Sequence, residues 1–119
     1  MYYAFQDRQN LYLVMDYLSG GDLRYHICRY RYFSEEITRF FVACLVMGLE
    51  YIHEKNIIHR DIKPENLVLE EDGKYKIRSN SSIGYLRITD FGIARVWRED
   101  NKQDTSGTPG YMAPEVMCR

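Results

Sequence analysis

The sequence predicts an α+β fold, and three observations carry that reading. A β-prone apolar stretch, Asn10 to Met15, runs into a Gly-Gly connection. One long segment, from Ser34 to about Lys55, repeats apolar residues at helical spacing. The short apolar runs Ile57-Ile58, Leu67-Val68-Leu69 and Leu86-Arg87-Ile88-Thr89 then border polar loops, as short strands do. A length of 119 residues allows at most one small domain.

Taken in order, residues 1–9 fit a strand end and a turn. Asn10 to Met15 is apolar but alternates poorly, which suits a buried strand. Asp16-Tyr17-Leu18-Ser19-Gly20-Gly21-Asp22 reads as a strand-to-helix connection, with Asp22 capping a short helix over 22–29. Ser34 caps the long helix, and Glu35 and Glu36 suit its positive N-terminal end. Apolar residues nearly encircle the middle of that helix, so burial on most sides is expected. Cys44 then reads as a core filler and not as a reactive thiol. Asn56 is the expected stop.

The net charge of −1 points to neither a nucleic-acid surface nor a membrane surface. Cys28, Cys44 and Cys118 are scattered without paired metal spacing, which implies reduced thiols and an intracellular, cytoplasmic setting. The longest apolar run, Phe40 to Leu49, is too short to span a bilayer. The N-terminus lacks the basic and apolar regions of a signal peptide.

The motifs come next. His59-Arg60-Asp61-Ile62-Lys63-Pro64-Glu65-Asn66 is followed by Asp90-Phe91-Gly92, by Thr108-Pro109-Gly110-Tyr111 and by Ala113-Pro114-Glu115. Singly, such residues are ordinary turn formers. As an ordered set they resemble the eukaryotic protein kinase family. The sequence around Lys63 is similar to the Ser/Thr type, in the style of its basophilic cyclic-nucleotide-dependent and calmodulin-dependent groups. The resemblance covers nearly the whole chain, 1–119, but only the middle of a kinase domain. It implies a protein-kinase-like fold spanning the hinge and the first part of the mainly helical C-lobe. A Gly-rich loop, a strand lysine with its helix glutamate, and the later C-lobe helices are not seen in this sequence. The chain by itself is therefore expected to be marginally stable.

What the resemblance implies can be stated residue by residue. The reaction is transfer of the ATP γ-phosphate to Ser/Thr hydroxyls of protein substrates, with ATP and Mg2+ as cofactors. Asp61 is the expected base, and Lys63 the residue that steadies the γ-phosphate. Asn66 and Asp90 supply oxygens for magnesium. In the hinge, Asp16 C=O and Leu18 N–H would bond adenine, with Met15 as gatekeeper and Val68 as the floor under the base. Asp22 would touch ribose or a substrate arginine. Glu65 belongs to the same nucleotide-side set. It resembles an acidic residue that reads basic side chains upstream of the acceptor, and the alternative is a solvated loop charge. His59 is expected to be structural, packed on Phe91.

Residues 93–112 resemble an activation segment, in which Thr108 contacts the base and the lysine. Arg60 then calls for an anion on that segment. Asp104 stands where the family's usual phosphosite lies, and is expected to supply a permanent, weaker anion than a phosphate. Thr105 is the rival phosphosite. Two departures accompany the resemblance. Besides the limited span, 23 residues separate Asn66 from Asp90, more than the family pattern has. The excess fits Lys74 to Gly84, whose removal leaves an Asp72-Gly73 hairpin. It reads as an insertion at a hairpin tip. The alternative is an unspliced intron, since codons for Gly73-Lys74-Tyr75 and Ile83-Gly84 can carry splice-site patterns. For function, the alternative is a catalytically inactive remnant serving as a nucleotide- or protein-binding module.

Overall fold

Two strands, β1 (Tyr3–Gln6) and β2 (Leu11–Val14), open the chain as an antiparallel hairpin with Tyr3 opposite Val14. The computed structural model describes residues 1–70, 75–78 and 81–118, so the expected Asp72-Gly73 turn lies outside the described residues. Asp7 closes the first hairpin: its Oδ1 accepts the amides of Gln9 and Asn10, each at 2.7 Å. Phe5 stacks on Tyr12 with ring centroids 5.0 Å apart. The expectation of a buried strand does not hold, because Leu11 is 79% and Leu13 59% exposed. A two-stranded sheet gives each strand one neighbour, and neither face of this one is covered.

Helix α1 (Leu23–Tyr30) starts at Asp22, whose carboxylate accepts the Tyr25 amide at 2.8 Å. The two glycines before it serve close approach. A Cβ on Gly20 would lie 2.2 Å from the Leu69 carbonyl oxygen, and the Leu69 amide donates to Gly21 O at 2.9 Å. This pins the start of α1 beside residues 67–69.

Helix α2 (Glu35–Glu54) follows, with Ser34 Oγ accepting the Ile37 amide at 3.3 Å. It ends at Glu54 with Lys55 as its C-cap, and Asn56 just beyond takes φ +55°, a left-handed angle that asparagine tolerates. Ile37 and Phe41 meet Leu67, Leu69 and Leu86 in the core, with Cys44 packed at its margin. Each fully buried aliphatic or aromatic side chain here contributes about 1.5–3 kcal/mol. The expected burial on most sides is corrected: Val46 is 57% and Met47 69% exposed. Only one stripe of α2 meets the sheet, since short strands cannot cover more.

The remaining strands are β3 (Ile57–Ile58), β4 (Leu67–Leu69), β5 (Tyr75–Arg78), β6 (Ser81–Ile83), β7 (Leu86–Ile88) and β8 (Arg95–Val96), before a final turn of helix, α3 (Pro114–Met117). They pair antiparallel as β4 with β7, β3 with β8 and β5 with β6. Leu67 faces Ile88 and Leu69 faces Leu86. The ladder runs on past these strands, through Glu70 N to Tyr85 O at 3.1 Å and Gly84 N to Glu70 O at 2.7 Å. Strands β5 and β6 fall within the excess stretch and form a second small hairpin beyond that point. No helix among the described residues is long and apolar enough to cross a membrane.

Candidate active site

Between β3 and β4 the chain folds into a loop around Asp61. Its carboxylate is met from three sides. Thr108 Oγ1 donates to Oδ1 at 2.6 Å, Lys63 Nζ lies 2.9 Å from Oδ2, and Asn66 Nδ2 donates to Oδ2 at 3.0 Å. Asn66 Nδ2 also donates to the Asp61 carbonyl at 2.9 Å, and Lys63 Nζ donates to Thr108 Oγ1 at 2.7 Å. The Thr108 hydroxyl first, and the Lys63 ammonium next, hold the Asp61 carboxyl below its ordinary value. The hydrogen bond to Asp61 in turn raises Lys63. Asp61 is thus fixed, ionised and oriented.

Asp90 is exposed and follows directly on Thr89, which is held at both ends of its peptide unit. Thr89 N donates to Asn66 O at 2.9 Å, and the buried His59 ring, through Nε2, contacts Thr89 O at 2.9 Å. His59 also packs edge-on against Phe91, with centroids 4.9 Å apart. Asp90 Oδ1 accepts the Gly92 amide at 3.2 Å. Both Arg60 and Asp90 adopt left-handed angles, φ +70° and +60°. Such conformations cost on the order of 1–3 kcal/mol each and mark places where position outweighs relaxation.

A cleft of about 1020 Å³ joins Met15, Asp16 and Leu18 at the end of β2 to Asp90 and Phe91. Among the described residues, neither Asp16 C=O nor Leu18 N–H has a backbone partner. The Tyr2 hydroxyl donates to the Asp16 carboxylate. Val68 and Asp22 do not line this cleft. They form a backbone bridge with each other, and Asp22 is engaged as the cap of α1.

The segment after β7 returns over the loop. Gly107 takes φ +143°, and a Cβ there would lie 2.8 Å from Arg60 O. That approach sets Thr108 against Asp61 and Asp104 against Arg60. Asp104 Oδ2 is shared by Arg60 Nη1 at 3.2 Å and Arg95 Nη1 at 2.7 Å. Thr105, next in sequence, has no side-chain hydrogen bond or ion pair of its own among the described residues. Glu65 is paired with Arg24, Nε to Oε1 at 2.8 Å.

Sequence reasoning missed Arg24 and Arg95. Arg24 reaches across 41 positions to Glu65. Arg95 comes to Asp104 only because β8 pairs with β3. Neither carries a local signal, and only the preceding Asp22 cap hinted where Arg24 would stand.

The chain belongs to the protein kinase domain family, whose pattern matches residues 1–119. It is 40% identical over 121 residues to the serine/threonine-protein kinase sgk-1 of Caenorhabditis elegans, covering 100% of this chain and 24% of that protein. It is 42% identical over 117 residues to the human RAC-beta serine/threonine-protein kinase, covering 97% of this chain and 22% of that one. The cAMP-dependent protein kinase catalytic subunit of Dictyostelium discoideum is 38% identical over 117 residues, covering 98% of this chain and 16% of that protein. The chain therefore spans at most 24% of the length of these relatives.

Proposed function

We propose that this chain takes part in transferring the γ-phosphate of ATP to serine and threonine hydroxyls of proteins, as the stretch of a kinase domain from the hinge through Ala113-Pro114-Glu115. The observation that supports this most directly is the closed set of Asp61, Lys63, Asn66 and Thr108 described above. A carboxylate kept ionised by a lysine and a hydroxyl is a poor free base. It is well suited to orienting an acceptor hydroxyl and taking its proton late, as the new P–O bond forms. Lys63 supplies a positive charge beside that oxygen, where charge on the transferring group has to be balanced.

The donor set fits magnesium. Asn66 turns its Nδ2 toward Asp61, which leaves its amide oxygen for a hard cation, and Asp90 adds an exposed carboxylate on the far side of Thr89. Bound there, magnesium would neutralise phosphate charge. In the cleft, Asp16 C=O and Leu18 N–H are the groups for adenine, with Met15 beside them. Neither Val68 nor Asp22 lines the cleft, and their proposed roles as floor and ribose contact, the latter in addition to capping α1, rest on the family resemblance alone. The intracellular setting, drawn from the cysteine pattern, belongs to the same proposal.

Incubating a complete kinase domain that contains this stretch with magnesium, radiolabelled ATP and a mixed serine/threonine peptide library tests the reading. Label is expected on serine and threonine, and Asp61→Asn should reduce it by about 10²–10⁴-fold. Label no higher than that of Asp61→Asn would overturn it.

A further inference from the structure

Arg24 ties one flank of the site together. It is the second residue of α1, and its guanidinium reaches two targets. Nε donates to Glu65 Oε1 at 2.8 Å, and Nη2 donates to the Tyr111 hydroxyl. Both targets are anchored to the Asp61 centre. Glu65 lies in the 3-10 turn Pro64–Asn66, between Lys63 and Asn66. Tyr111 closes a turn on Thr108, its amide donating to Thr108 O at 3.1 Å. The Arg24 and Glu65 side chains are 43% and 41% exposed, so the pair is open to solvent beside the turn that joins Lys63 to Asn66, where an incoming protein segment can reach it.

The chemistry of that flank follows from who holds Glu65. A free carboxylate there would draw a lysine or arginine of the incoming segment, and a guanidinium would be the better fit. Arg24 already fills that role from within the chain. We infer that Arg24 is a specificity-determining residue: it occupies on Glu65 the place of a substrate's basic side chain, so that the preferred acceptor segments are ones with no basic residue at this contact. The inference rests on the phosphotransfer reading above. The Tyr111 hydroxyl, which accepts from Arg24 Nη2, helps to orient the guanidinium toward Glu65.

The test measures binding without nucleotide, so that it can be read apart from catalysis. Two fluorescently labelled peptides carry alanine in place of the acceptor, one with arginines before it and one with glutamines at the same positions. Anisotropy at low ionic strength gives the ratio of their affinities. For Arg24→Gln the ratio should shift toward the arginine peptide by about fivefold, the scale of a partly exposed ion pair. In the double variant Arg24→Gln/Glu65→Gln the shift should disappear. An unchanged ratio, a shift that survives in the double variant, or no binding of either peptide to folded Arg24→Gln would each overturn the inference. Circular dichroism establishes folding, and Arg24→Met provides a second neutral variant. Failure of phosphate transfer by the wild type strikes the proposed function, and it is read in a separate assay.

Discussion

Asp104 shows how much one carboxylate oxygen can organise. It holds Arg60, which precedes Asp61, and Arg95, which lies on β8, so the returning segment and the loop share one anchor. A carboxylate has less charge and fewer acceptor atoms than a phosphate, but it is always present. Asp104→Ala should therefore lower transfer by about fivefold or more, a coupling on the order of 1 kcal/mol, in steady-state kinetics. Asp104→Glu should retain most of the rate, and Thr105→Ala should leave it unchanged. The Asp61–Lys63 pair gives a pH prediction. Asp61 is lowered in the fold, so its stabilising contribution is present above the ordinary 3.8 and is lost as pH falls through the lower folded value. Lys63 is raised, so its contribution is complete below 10.5 and is lost as pH rises through the higher folded value. Lys63→Met removes one of the partners that lower Asp61. Carboxyl NMR should then show Asp61 titrating at higher pH than in the wild type. At this scale the sequence was legible wherever chemistry and spacing coincide, as in residues 59–66. It was silent on Arg24 and Arg95, whose partners are fixed by tertiary contact.

The elements repeat that contrast. Both major helices begin at the expected caps, because a cap is a local bond between a side chain and an amide a few residues on: Asp22 to Tyr25 and Ser34 to Ile37. Burial was misread for β2 and for most of α2. Apolar spacing says that a face can be covered, and only the neighbouring elements decide whether it is. The exposed stripe of α2 gives a prediction. Val46, 57% exposed, should accept lysine with a change in stability within about 0.5 kcal/mol by denaturant unfolding, and with improved solubility. The segment over the loop is less forgiving. Gly107→Ala combines a left-handed angle with a contact 2.8 Å from Arg60 O, so the backbone must move. Transfer should fall by at least the Asp104→Ala factor, because Thr108 and Asp104 are both carried away from their partners.

Over the whole molecule, the core between α2 and the β4–β7 hairpin supports a site whose two proposed magnesium ligands are far apart in sequence. Asn66 and Asp90 have 23 residues between them. They are neighbours nonetheless, because the Thr89 amide and hydroxyl both bond to Asn66 O, at 2.9 and 3.1 Å. The ladder through Glu70, Tyr85 and Gly84 seals the hairpin before the second one, β5–β6, begins. Deleting residues 74–83 should accordingly leave magnesium-dependent ATP binding within about threefold, since loop length enters stability only logarithmically. Calorimetric titration checks it. The zipped stem works as an insulator. Whatever sequence is written beyond Glu70 and Gly84, whether a longer loop, an epitope or a fluorescent reporter, the placement of Asn66 and Asp90 is expected to stay the same. The tip of this hairpin is therefore a cassette position, where the protein can be edited without rewriting its chemistry.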